Sequence, residues 1–251
     1  MADQSVESMN ITNKSDYTPK VALGVAAHPD DLDFGMSGTI AKWAAAGCDV
    51  YYLILTNGNK GSADMSADPQ ELTEIRRTEQ RMAAKILGVK DVFFCDYDDG
   101  TLEVSQAVKR DIVRIIRRIK PEAVLTMDPS VLYDAERGII NHPDHRAAGQ
   151  ATLDAVFPLA RDHMSFPELL QVENLQPHKV TNIFLMNFVA HNCKIDITQF
   201  IDIKMDAIAA HKSQMPNLKS TQNMIRQMAA KNGESIHALY AEAYIMITVA
   251  G

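Results

Sequence analysis

The chain has 251 residues, 46% hydrophobic and 23% charged, with a formal net charge of −7. These are ordinary values for a globular protein long enough to bury a sizeable core, and the acidic balance argues against a broad nucleic-acid-binding surface. No apolar run approaches the roughly 20 residues that cross a bilayer; Cys48, Cys95 and Cys193 form no CxxC pair, so no disulfide framework is indicated and a reducing cytoplasm is the expected setting.

Residues 1–18 are polar, lack the apolar segment of a signal peptide and read as a disordered tail. Residues 19–251 read as one α/β domain. Val21 to Ala27 is apolar throughout and reads as a buried strand, ended by a Pro-containing loop. Ser37 is a candidate cap for a helix from Gly38 to Ala46. Asp49 to Thr56 is rich in β-formers and reads as a second strand. A flexible loop at 57–62 precedes a helix from Pro69 to Leu87, which Gly88 stops.

Val92 to Cys95 reads as a third strand, followed by an acidic turn from Asp96 to Gly100. Ser105 caps a helix to Lys120 with the apolar stripe Val108, Ile112, Ile115, Ile116 and Ile119, and Arg110, Arg114, Arg117 and Arg118 read as its solvated face. Ala123 to Met127 is the fourth strand, and a helix runs from His142 through Phe157 after the loop 128–141. Residues 158–178 are irregular and read as part of a lid or rim. Val180 to Val189 reads as a strand, 196–212 and 218–232 as helical, and Ala243 to Val249 as the closing strand. Strands separated by helix-length segments imply parallel crossovers, hence a three-layer α/β/α, Rossmann-like fold with a mostly parallel central sheet.

Two clusters carry the chemistry. His28-Pro29-Asp30-Asp31 follows the first strand, and His142-Pro143-Asp144-His145 follows the loop after the fourth. Open α/β sheets place ligands beyond the carboxyl ends of their strands, so both clusters can face one crevice. His-Pro-Asp is also turn chemistry, and one such cluster alone would read as a turn. Two at strand ends favour a metal site. Imidazole with carboxylate suits zinc, with other first-row divalent metals possible, and three protein ligands with one open position mark a catalytic centre. Two ligands from the first cluster and one from the second give that count. The second carboxylate of the first cluster is then free to face water, and whichever of His142 and His145 does not bind metal can face the substrate. No GxSxG or GxGxxG motif competes.

Ala27 to Asp31 and Asn141 to His145 resemble the two signature motifs of the PIG-L/LmbE-like zinc deacetylases. Gly35 to Lys42, Arg76 to Glu79 with Leu87-Gly88-Val89, His211 to Gln214, and Tyr240 to Tyr244 resemble further motifs of that family in the same order. The resemblance implies that His28, Asp31 and His145 hold the metal, that Asp30 is the general base and that His142 is the cation or general acid that stabilises the tetrahedral intermediate. It also implies that Asp144 orients or tunes His142 and that Arg76 contacts substrate. It implies hydrolysis of an N-acetylglucosamine-type sugar to acetate and a free amine, a small-molecule substrate rather than nucleic acid or membrane, and a homo-oligomer, trimer or hexamer. Some members carry a Tyr two residues before the first His of the second motif. Ile140 stands there in this chain, which leaves Tyr133 or Tyr240 as alternatives. Two other readings stand beside the deacetylase: a metal-dependent amidase for a non-sugar or thiol-conjugate amide, and a non-catalytic sugar- or nucleotide-binding module.

Overall fold

The structure, a computed structural model, describes residues 11–250. Its strands are β1 (Thr12–Asn13), β2 (Val21–Ala26), β3 (Asp49–Thr56), β4 (Asp91–Tyr97), β5 (Ala123–Met127), β6 (Tyr133–Asp134), β7 (Ile139–Ile140), β8 (Asn182–Met186), β9 (Cys193–Asp196) and β10 (Ala241–Thr248). Its α-helices are α1 (Asp31–Ala45), α2 (Pro69–Leu87), α3 (Gln106–Ile119), α4 (Pro143–Asp154), α5 (Pro167–Gln171), α6 (Ile201–Ala210) and α7 (Leu218–Gly233). Eight strands make one sheet in the order β1-β9-β10-β8-β5-β2-β3-β4. Only β10 runs antiparallel to its neighbours. β6 and β7 form a separate hairpin inside the long loop after β5.

Alternation along each strand feeds two cores. Ala22, Tyr52, Leu125 and Phe184 face one side, where α1, α2 and α6 supply Met36, Leu87 and Ile208. Leu23, Leu53, Val124 and Ile183 face the other, covered by Val108, Ile112 and Ala148 of α3 and α4. Strands apolar on both faces need helices on both, and this gives the three layers.

Four expectations are corrected. Residues 1–10 of the expected tail lie outside the described residues, but from Ile11 the chain joins the sheet. Thr12–Asn13 pairs with Cys193–Lys194, and Tyr17 packs on Trp43 and Phe184 with ring centroids 5.9 and 5.7 Å apart. One half-buried aromatic ring is enough to anchor an otherwise polar segment. The first helix starts at Asp31, and Ser37 lies inside it, donating to Asp33 O at 2.5 Å. Gly38 is a packing residue: a Cβ there would sit 2.6 Å from Ile197 Cδ1.

Arg117 is buried rather than solvated. Its guanidinium donates to the carbonyls of Leu159, Ala160, Asp162 and Ser165 at 2.7–3.1 Å. That clamp fixes the segment after α4. The segment ends beside the start of β5, where His178 Nε2 meets Pro121 O at 2.8 Å. Residues 158–178 therefore pack at the amino-terminal edge of the strands and form no rim around the crevice.

Candidate active site

β2 and β5 are adjacent and parallel, with β3–β4 beyond one and β8 beyond the other. The sheet order reverses between them, so their carboxyl ends flank the crevice of an open α/β sheet. His28 to Asp30 is the turn leaving β2. The short loop is possible because Asp30 takes a left-handed backbone (φ 94°), an uncommon conformation for a residue with a side chain. Gln80 Oε1 accepts the Asp30 N–H at 2.8 Å and holds it there. The second cluster opens α4 with Pro143 in its first turn, and His142 is the cap, its Nδ1 accepting Asp144 N–H at 3.2 Å.

The turn and the helix start bring the two clusters together. Ring nitrogens of His28, His142 and His145 lie within 4.8 Å of one another. Asp31 stands between two of them, with Oδ1 3.1 Å from His145 Nε2 and Oδ2 3.5 Å from His28 Nδ1. On the other side of the His28 ring, Nε2 lies 3.1 Å from Asp99 and 3.3 Å from Asp144. Asp144 is fully buried and accepts N–H bonds from Gly100 and Leu102. Asp99 accepts from Lys60 N–H. These two carboxylates are thus held by backbone and orient one face of the His28 imidazole, leaving the other face with Asp31 and His145. A histidine oriented by a carboxylate, beside a further carboxylate and a further histidine, is the donor chemistry of a divalent metal centre.

The Asp144 carboxylate faces His28; it acts on His142 through its backbone N–H and through its charge, which works to raise the His142 ring. Arg76 lies inward. It is 4% exposed, and its fork donates to Pro29 O and Gly58 O, each at 2.8 Å, with Nη2 3.5 Å from Asp30 Oδ2. It ties the turn that carries Asp30 to the loop after β3. Gly58 (φ 65°) and Gly61 leave room for it: a Cβ on Gly61 would lie 2.6 Å from Arg76 Nη1.

Charge follows the same layout. Burial opposes ionisation of Asp31, but the cations at His145 and His28 outweigh it and hold the carboxyl well below the usual range. Burial pulls the His28 ring down, and Asp31, Asp144 and Asp99 overcome this to push it up to about 12. The site is built to hold positive charge between carboxylates. Asp30 goes the other way: burial and the Asp31 charge push it up to about 7, against Arg76, His211 and His28. His142 is lowered by burial and then by the two neighbouring histidines. It is a neutral ring near pH 7. With Nδ1 accepting the Asp144 N–H, its proton sits on Nε2.

Sequence reasoning missed a layer behind Asp30. Gln80 Nε2 donates to Asp33 Oδ2 at 2.7 Å, Tyr52 OH to Asp33 Oδ1 at 3.2 Å, and His211 Nε2 lies 2.7 Å from Asp33 Oδ2. All three come from different elements, and no spacing in the chain announces them. Asp99 was within reach of the rule used for the clusters, since it follows the carboxyl end of β4. Tyr240 is away from the site, packed against the core on the α1 side. Tyr133 is directly across the hairpin from Ile140 and shares a cavity wall with His142.

The model of the GlcNAc-PI de-N-acetylase family, PIG-L, matches residues 23–156. The chain belongs to the PIG-L family. It is 34% identical over 197 residues to the diacetylchitobiose deacetylase of Thermococcus kodakarensis, covering 78% of this chain and 71% of that one. It is 30% identical over 200 residues to a probable N-acetyl-α-D-glucosaminyl L-malate deacetylase 2 of Bacillus anthracis, covering 76% and 80%. The solved N,N'-diacetylchitobiose deacetylase of Pyrococcus horikoshii superposes with a TM-score of 0.84 at 32% identity, over 92% of this chain and 84% of that one. These PIG-L relatives agree with the three-layer fold, and the family match spans both His/Asp clusters. No helix among the described residues is long and apolar enough to cross a membrane.

Proposed function

We propose that this PIG-L protein is a metal-dependent N-deacetylase that hydrolyses an N-acetylglucosamine-type sugar to acetate and a free amine. The observation that carries the reading is the Asp31 carboxylate standing 3.5 Å from His28 Nδ1 and 3.1 Å from His145 Nε2 across the β2/β5 crevice, with Asp30 the adjacent residue in the chain. The names of the three relatives given above, each a deacetylase of a glucosamine derivative, support the substrate class.

His28, Asp31 and His145 would hold the metal, and zinc fits this imidazole–carboxylate set. Bound there, zinc supplies a Lewis acid for the amide carbonyl and lowers the pKa of water towards about 7. Asp30 takes a proton from the attacking water. Burial of its carboxyl favours the protonated form, which makes Asp30 a stronger base than an exposed carboxylate. His142 donates its Nε2–H to the carbonyl oxygen as negative charge develops. A neutral ring can do this, so no imidazolium is required. Asp30 then returns the proton to the leaving nitrogen. Asp99 and Asp144 act through His28 by fixing its ring, and Arg76 acts through Asp30 by fixing its loop. Tyr133, across the hairpin from Ile140, would assist His142 in place of the Tyr that some family members carry at that position. With Cys48, Cys95 and Cys193 all free thiols, we place the protein in the cytoplasm.

Acetate release from N-acetylated glucosamine sugars, measured alongside bound metal, tests the assignment. Asp30→Asn is expected to keep the metal and to lose about 10²–10⁴ in kcat. Unchanged turnover in that variant would remove Asp30 as the base.

A further inference from the structure

The crevice has two unlike sides. Towards β3 and β4 the neighbouring side chains are charged, with Asp30, Asp99 and the Lys60–Asp98 ion pair. Towards β5 and β8 it opens into a cavity of about 220 Å³ whose walls include His142, His145, Val131, Ile139, Met186 and Val189. Four polar side chains also line that cavity, and each is engaged within the protein. Asp128 accepts from Ser130 N–H and Oγ and from Asn187 Nδ2. Asn187 Oδ1 accepts from Val189 and Ala190 N–H. Asn141 Nδ2 donates to Val131 O, and Asp134 accepts from Glu136 and Arg137 N–H. What remains towards the cavity is methionine, valine, isoleucine and the Tyr133 ring. A second sugar ring, with polar groups around its rim, would find few partners there and would lose hydrogen bonds to water.

The direction of the amide decides what enters. The nitrogen must lie next to the group that returns its proton, so the amine half of the substrate belongs on the Asp30 side. The acyl half then points past His142 into the apolar cavity. Acetyl would fill little of it: a cavity of about 150 Å³ takes a benzene molecule. We propose that this cavity is an acyl-chain subsite, and that the protein hydrolyses N-acyl amides with aliphatic chains longer than acetyl, up to about hexanoyl. This rests on the amide-hydrolase reading above and names the acyl group that reading leaves open. The reaction stays balanced. The water oxygen bonds to the carbonyl carbon and the C–N bond breaks. The chain leaves as a carboxylate, and the nitrogen leaves as an amine with the proton from Asp30.

The test compares N-acetyl-, N-butanoyl- and N-hexanoylglucosamine as substrates of the metal-loaded protein. Acetate and hexanoate binding to the metal-free protein is measured by calorimetry alongside. Each fully buried methylene is worth about fourfold in affinity. KM is expected to fall at least about tenfold from acetyl to hexanoyl, and hexanoate should bind the metal-free protein tighter than acetate. Val189→Trp, which narrows the cavity from the β8 side at an exposed position, should abolish the preference and retain acetyl turnover; Val131→Trp, on the opposite loop, is the alternative if the first fails to fold. Acetyl turnover with hexanoyl hydrolysed less than a tenth as well overturns the subsite and leaves the deacetylase standing. Hydrolysis of neither amide overturns both. A gain from an octyl glycoside of N-acetylglucosamine without a gain from hexanoyl would put the chain in the cavity from the sugar side and overturn the acyl assignment, as would equal binding of acetate and hexanoate.

Discussion

Asp30 concentrates the strain and the chemistry of the site in one residue. Its left-handed backbone costs on the order of 1–3 kcal/mol, which persists only because Gln80 and the α1 start over-determine it. Its carboxyl is pushed from near 4 to about 7 by burial and by Asp31. Between those pH values the folded, metal-free chain keeps a proton that the unfolded chain has released. Its stability therefore falls as pH rises across that window. Asp30→Asn removes the fall. In chelator, its melting temperature should lie close to that of the unchanged protein near pH 4 and exceed it by several degrees at pH 8. A variant less stable at pH 8 would show that the ionised Asp30 is a stabilising partner of Arg76. At this scale the sequence was readable where chemistry is adjacent in the chain: His28, Asp30, Asp31 and His145 lie in two four-residue words. Asp33, Gln80 and His211 were not readable as a group, because α1, α2 and the end of α6 meet only in the folded state.

Elements carry the corrections. Arg76 on α2 was expected to meet substrate, yet it faces inward, because its fork fits two loop carbonyls and Asp30 Oδ2. A lysine keeps the charge and loses the fork. Arg76→Lys should lower kcat by about tenfold with KM nearly unchanged, since the loss falls on Asp30 and not on a sugar contact; a KM effect alone would restore the substrate role. Arg117 shows the same limit of helix-face reasoning. Periodicity put it beside the apolar stripe of α3, but four carbonyls of residues 159–165 converge on it. Arg117→Ala leaves them without a donor and should cost about 2–4 kcal/mol in urea unfolding. Metal affinity and KM should not move, because that segment lies at the far edge of the sheet. A loss of activity at equal folding would return the segment to the rim of the site. The β6–β7 hairpin escaped the sequence altogether: two-residue strands carry no periodicity.

Across the whole molecule, the order of the strands makes the site. Alternating strand and helix segments already implied parallel crossovers, and apolar runs implied a sheet covered on both faces. The adjacency of β2 and β5 was a condition that the sequence posed and the structure met. It joins a turn after one strand to a helix start after another, so a metal there ties two units of the fold together and should stabilise the chain as any ligand of the folded state does. The most direct measurement is acetate release by metal-stripped protein titrated with zinc, run beside His145→Ala. Turnover should be absent in the stripped protein, rise to saturation at about one metal per chain, and fail to rise in the variant. Full turnover in stripped protein, or a His145→Ala titration that overlays the unchanged protein, would contradict a catalytic metal held between the two clusters.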